Sequence, residues 1–321
     1  MLKPYAIVGI ISGLGTAVLN LSFLSGSSVA ILLVMLAPLP ILIATLGWGS
    51  VSGLIAAVSA GILTAVVWQY SSGTMLPGLL IFVLIGLPAF WVGHLCGQTR
   101  KNQDNELIGY PIGRLLAWII ALAVLVNFAQ LAFIGFDLEK LRDFLNTMIM
   151  NFSNSGAVPT NTPFDTEAIT NAVMLILPVT TAFFWVCLQT LNVYLAALVV
   201  RSSGQLHRTW PIMRAVAMPK LAIPFVILGL FGSFFDGIPG YIGLLVTGGF
   251  FAGYLFLGLA VLHTFSRKFE QYRLILGFFY LLLMFIYPLA LLIAVIGLFD
   301  QFFNFRNKIN TDPVPNPNNL N

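Results

Sequence analysis

The chain has 321 residues, of which 59% belong to the set AVILMFWYC and 8% are charged, with 29 glycines and a formal net charge of +4. A soluble domain carries about 25% charged residues, so 15 Lys and Arg with 11 Asp and Glu cannot furnish a water-facing surface for a body of this size. A soluble enzyme, a nucleic-acid binder and a disordered chain are excluded, and an all-α, polytopic transmembrane helix bundle dissolved in a lipid bilayer remains.

A helix needs about 20 apolar residues to cross the hydrocarbon layer. Nine segments meet that need, near 5–23, 28–47, 50–69, 77–97, 115–135, 169–199, 219–235, 240–265 and 274–299, and residues 1–300 are expected to form a single transmembrane domain. The first segment is read as a retained span, because it lacks a basic stretch beyond Lys3 and a small-x-small cleavage site before the next span. The turn Gly47-Trp48-Gly49-Ser50 joins the second and third spans as a tight hairpin. The sixth is over-long and carries Pro178, which predicts tilt or a kink. The seventh is short and contains Pro224.

Connections 98–114, 201–220 and 266–273 hold, with Lys3, most of the Lys and Arg. The stretch 136–167 sets only Lys140 and Arg142 against Asp137, Glu139, Asp143, Asp165 and Glu167. Nine alternating spans with a cytoplasmic N-terminus put every basic connection inside a bacterial inner membrane, as the positive-inside rule requires. The C-terminal tail then falls outside; eight spans with an inside tail is the alternative.

Within 136–168, residues Leu138, Leu141, Leu145, Met148 and Phe152 recur at helical spacing, with Glu139, Lys140, Arg142 and Asp143 on other faces. This predicts an amphipathic helix on the outer interface. Residues 153–166 read as a polar loop, and 301–321 as an interfacial and disordered tail rich in Pro and Asn.

Small residues are the means by which helices pack in lipid. Gly53, Ala57, Gly61 and Ala65 form one stripe, and Gly9, Gly13 and Ala17 another; each reads as a packing face, the second also as a groove for a partner. Gly249 and Gly253 mark the eighth span. No acidic or basic residue is expected at mid-depth, which argues against a proton-driven carrier. His94, His263 and Asp236 lie near span ends. Neutral polar residues inside spans are Asn20, Asn127, Gln130, Asn171, Gln189, Asn192 and Tyr194. Such amides bond between helices or line a pocket; Asn20, Asn127, Gln130, Gln189 and Asn192 are the candidate ligand-binding set for a small neutral or zwitterionic molecule.

No HExxH, GxSxG or GxxxxGK[ST] motif is present, and no aspartate pair lies in a span. Cys96 and Cys187 lie far apart in apolar runs and read as buried thiols. No enzyme activity, metal site or cofactor is expected, and ATP-driven transport would need a nucleotide-binding partner.

Two C-terminal stretches, Gly258-Leu-Ala-Val-Leu-His263 and Tyr287-Pro-Leu-Ala-Leu-Leu-Ile-Ala-Val-Ile-Gly-Leu-Phe-Asp300 followed by Gln-Phe-Phe-Asn-Phe-Arg306, resemble the YybS-like family of bacterial membrane proteins. Residues 1–135, with Leu46-Gly-Trp-Gly49 and the small-residue helix after it, are similar to the S-components of energy-coupling-factor transporters. That resemblance implies a solute-binding subunit with its pocket among spans one, five and six, and a membrane coupling subunit docked on Gly9, Gly13 and Ala17. MreD-like cell-shape proteins share the likeness, which implies instead a non-transporting scaffold for envelope or division proteins. In connection 201–220, Arg201, Arg208, Arg214 and Lys220 with Trp210 and Met213 set topology and meet anionic headgroups, or dock a cytoplasmic partner.

Overall fold

The computed structural model describes residues 3–101, 107–154, 165–206 and 216–306. Most of the loop 153–166, the tail beyond 306, and Arg208, Trp210, Met213 and Arg214 lie outside the described residues. Among the described residues, seven helical stretches are long and apolar enough to cross a membrane: Pro4–Ser25, Ser28–Trp48, Ser50–Ser72, Leu76–Gly97, Ile112–Ile134, Thr166–Ser202 and Gly237–Ser266. They coincide with the first six expected spans and the eighth, and the chain is an all-α polytopic bundle.

Prolines shape these stretches internally. The first holds α1 (Pro4–Leu21). The second divides into α2 (Ser28–Met35) and α3 (Leu39–Trp48), and the third is α4 (Ser50–Ser72). In the fourth, α5 (Leu76–Ile81) and α6 (Leu87–Gly97) are joined by a π-helical turn over Phe82–Gly86. That turn precedes Pro88, whose ring and missing N–H disrupt the regular ladder. The fifth contains α7 (Ile112–Gln130). The polar connection before it carries a small antiparallel ribbon, β1 (Thr99–Lys101) with β2 (Leu107–Gly109), in the register Arg100 opposite Ile108.

Helix α8 (Leu138–Phe152) is the expected amphipathic helix, and none of its residues is buried. Leu138, Leu141, Leu145 and Ile149 are half-covered where it meets α9 (Thr166–Ser202), while Met148 and Phe152 are exposed. Asp137 caps it, its carboxylate accepting the Glu139 and Lys140 N–H groups at 3.0 and 3.3 Å. The Lys140 N–H, joined by that of Glu139, holds the carboxyl below its usual value against the opposing effect of desolvation. Arg142 reaches across to Asn171 Oδ1 at 2.6 Å.

The seventh and ninth expected spans turn out differently. Helix α10 (Ala222–Gly232) has 11 residues, about 17 Å at 1.5 Å per residue, roughly half the hydrocarbon thickness. The run 274–299 is two helices, α12 (Tyr272–Phe285) and α13 (Tyr287–Phe303), broken at Ile286 with φ −117° and ψ 82°. Pro288 explains the break, since it cannot donate to the ladder and biases the chain before it toward extended backbone. Helix α13 runs back along α11 (Gly237–Ser266), with Ile293 against Gly258 and Gly297 against Tyr254. Helix α12 therefore leaves and rejoins the same end of α11, touching it through Tyr280 and His263, whose rings lie 5.9 Å apart.

Two helices organise the packing. Helix α4 turns Ser52, Ala56 and Ala60 to α1, and Gly53, Ala57 and Gly61 to α3, α5 and the π-helical turn. Helix α11 is the most enclosed stretch, 72% of its apolar window buried against 22% for the first, with α7, α9, α10 and α13 around it. Lipid offers helices no hydrophobic gain from meeting, so backbone contact at small residues is what joins them. Gly248 lies against Val179 of α9 in this way, and Gly113 of α7 against Ala217.

A polar clasp fixes the end of α13. Arg306 pairs with Asp300 at 2.7 Å, both side chains nearly buried, and donates to the Val216 carbonyl at 2.7 Å. Gln301 donates to the Pro219 carbonyl at 3.2 Å and accepts from Tyr254 at 2.7 Å. The end of α13 thus sits beside the connection 201–220, whereas nine full crossings would carry it to the other side.

Candidate functional site

The second membrane stretch is where the backbone departs from helix inside the bundle. Pro38 and Pro40 bring no N–H to the ladder, and the chain turns through Leu36–Pro38 before α3 resumes. Backbone carbonyls released within a membrane must find other donors. Thr16 of α1, fully buried, donates its hydroxyl to the Ala37 carbonyl at 3.0 Å. Asn192 of α9 donates Nδ2 to the Met35 carbonyl at 2.9 Å, and to Leu188 of its own helix at 3.0 Å. Three separate stretches of chain are tied together at the break.

Around it the buried polar capacity is incompletely used. Asn192 Oδ1, Gln189 Nε2 and Asn20 Nδ2 are buried with no hydrogen-bond partner. Gln189 lies three residues before Asn192 on α9, and Asn20 one turn beyond Thr16 on α1, so all three lie within a turn of a residue that holds the break. The other two expected amides stand apart. Asn127 is buried on α7 and donates to Ala123 of its own helix at 2.7 Å, and Gln130 is exposed. Ser52 Oγ and Thr64 Oγ1 on α4 are likewise buried without partners.

The small-residue stripes are occupied from within the chain. A Cβ on Gly9 would meet the Ser52 carbonyl and Ile55, and one on Gly13 would meet Ser59 Oγ and the Ala56 carbonyl. Ala17, one turn on, is buried as well. Gly53 faces Thr45, Ala57 faces Gly86, and Gly61 faces Gly78 and Phe82. The face of α1 left open is apolar, formed by Ile7, Ile11, Leu14 and Val18.

A second polar group lies where α3, α4, α6 and α9 end together. A cavity of about 390 Å³ is bounded by residues 45–50, His94, Gly97, Gln98 and Leu206. Gly49, with φ +89°, makes the turn from α3 into α4 in a conformation that a side chain would strain. His94 Nδ1 is 2.5 Å from Ser50 Oγ, and its Nε2 is 2.9 Å from Gln98 Nε2. Phe90 and Trp91 pack beside the imidazole, with centroids 6.0 and 5.9 Å away. From the sequence, 47–50 is a hairpin and His94 a residue at a span end. The signal that could have joined them is a histidine and a serine both one turn or less from ends on the same side.

The remaining titratable candidates lie elsewhere in the bundle. His263 Nδ1 lies 2.8 Å from the Leu259 carbonyl, and Asp236 begins α11 without a side-chain cap. Cys96 is buried and Cys187 half-buried. Among the described residues no three His, Cys, Asp or Glu gather as a metal site would require.

The family described as "Predicted membrane protein (DUF2232)" matches residues 15–301. No curated protein and no solved structure matches the chain.

Proposed function

The chain belongs to the DUF2232 family of predicted membrane proteins, and from that premise we propose that it is a small-solute-binding subunit of the bacterial cytoplasmic membrane, similar in role to an S-component. The observation that carries this reading is the interrupted helix 28–48, with Asn20, Gln189 and Asn192 each offering an unused donor or acceptor beside it. Broken helices within membrane bundles are where transporters hold their ligands, because freed backbone groups and buried amides bind there at small reorganisation cost. Three unmet polar atoms in a water-poor interior each cost free energy, and a neutral or zwitterionic solute lying among them would recover it.

The partner expected from the S-component likeness needs a different docking face. Gly9 and Gly13 are covered by α4, so a coupling subunit would lie on the apolar face of Ile7, Ile11, Leu14 and Val18. The same face would serve a scaffold for envelope proteins, the second reading.

The test is a thermal-shift screen of the purified protein in detergent against vitamins and nucleosides. A solute that raises the melting temperature saturably, and loses that effect in Gln189→Leu, supports the reading. A melting temperature that no compound moves contradicts it, and protein partners recovered by crosslinking in that case would favour the scaffold.

A further inference from the structure

The cavity at the joined ends of α3, α4, α6 and α9 lies at the end of α3 remote from the break at Leu36–Pro38, and its chemistry is directional. Gln98 Nε2 is an amide donor and sits 2.9 Å from His94 Nε2. That ring nitrogen is then the acceptor, and the neutral imidazole carries its proton on Nδ1. With Nε2 accepting, Nδ1 is the donor of the ring, and Ser50 Oγ lies 2.5 Å from it. The Ser50 hydroxyl proton is the last link, and among the described residues no acceptor is bonded to it. A chain of donors polarised in one direction strengthens its terminal O–H, and Ser50 is part of the cavity wall.

The wall also states what does not fit. Its ten residues include no Lys, Arg, Asp or Glu. A phosphate dianion presents more charge and more acceptor oxygens than one hydroxyl serves, and an ammonium group would compete with the His94 ring N–H for the same hydroxyl oxygen. An apolar guest would leave the hydroxyl unmet. Leu46, Trp48 and Leu206 add apolar surface to the wall, and about 390 Å³ accommodates a compact organic body. We propose that this cavity binds a small organic monocarboxylate, with Ser50 Oγ donating to the carboxylate, His94 and Gln98 orienting that hydroxyl, and Leu46, Trp48 and Leu206 holding the apolar part. The uncapped start of α4 at Gly49 favours the same charge sign.

The experiment is calorimetric titration of the full-length protein in detergent with benzoate, benzamide and inorganic phosphate. Benzoate is expected to bind saturably and at least 10-fold more tightly than benzamide, with phosphate neither binding nor competing. Ser50→Ala is expected to lower benzoate affinity at least 10-fold and Gln98→Leu, at an exposed position, several-fold. In protein labelled with ¹⁵N-histidine, which contains 3 histidines, benzoate is expected to move the His94 ring resonances in the wild type. Absence of saturable benzoate binding, equal affinity for benzamide, competition by phosphate, a still His94 resonance, or unchanged affinity in Ser50→Ala each overturns the proposal.

Discussion

Gly258 on α11 and Gly297 on α13 lie directly against each other, with a Cβ on Gly297 placed 2.5 Å from the Gly258 nitrogen and 3.1 Å from its Cα. These glycines belong to the C-terminal stretches 258–263 and 287–306, so sequence features 39 positions apart are halves of one contact. Small residues there let two backbones touch where lipid supplies no other attraction.

Any side chain at position 297 must therefore push α13 away from α11. Gly297→Val is expected to destabilise the fold by about 1–3 kcal/mol, the range for overpacking. Gly277 on α12 has nothing within 4 Å, and Gly277→Ala is expected to stay within about 0.5 kcal/mol of wild type. Thermal unfolding of the two variants in one detergent separates a packing contact from a general intolerance of substitution.

The Asp300–Arg306 pair continues the same contact, with Asp300 2% exposed at its side chain and Arg306 11%. Removing one partner of such a pair costs about 3–5 kcal/mol, because the other charge stays buried alone. Arg306→Gln is expected to fall in that range and the double variant Asp300→Asn, Arg306→Gln to recover part of the loss. A double-mutant cycle by chemical or thermal unfolding measures it, and additive losses would mean that the two groups are not coupled.

Asn192 holds the interrupted helix to α9 through the Met35 carbonyl. Asn192→Leu removes that bond, and interhelical polar contacts in membranes contribute about 0.6–1.7 kcal/mol. A loss of stability of that order is expected in thermal unfolding, together with increased hydrogen exchange at Leu36–Leu39. Unchanged exchange there would mean that the turn is held by its own backbone.

Acid should loosen α8 before the membrane helices. The Asp137 carboxyl is held below its usual value, first by the Lys140 N–H. A depressed folded value means that the cap is fully present above the unfolded-state pKa of about 3.9 and lost as pH falls through the folded one. Hydrogen exchange at Leu138–Leu141 is expected to accelerate below about pH 4 relative to the membrane helices, and Asp137→Ala is expected to show the accelerated rate already at neutral pH.

Most crossings were legible because length of apolar sequence alone decides them. Two helix breaks are hidden in the sequence for one reason. Hydropathy runs smoothly through Leu36–Pro40 and through Phe285–Pro288, while Pro38, Pro40 and Pro288 remove donors and break the helices. Pro178, by contrast, lies inside α9, whose helix continues through it. The amides were found as a set, but which carbonyl each one meets depends on pairings such as Asn192 with Met35, 157 positions apart. Ser50 and His94, 44 apart, share a cavity only because four helices end at one level, which no local pattern encodes.

The central claim, that the interrupted helix is a solute site, is tested most directly by native mass spectrometry of the protein purified gently from its own membrane. A discrete small-molecule adduct, present in the wild type and lost in both Asn20→Leu and Gln189→Leu, is the expected result. A wild-type spectrum free of any adduct besides lipid, or an adduct that both substitutions leave in place, would contradict it.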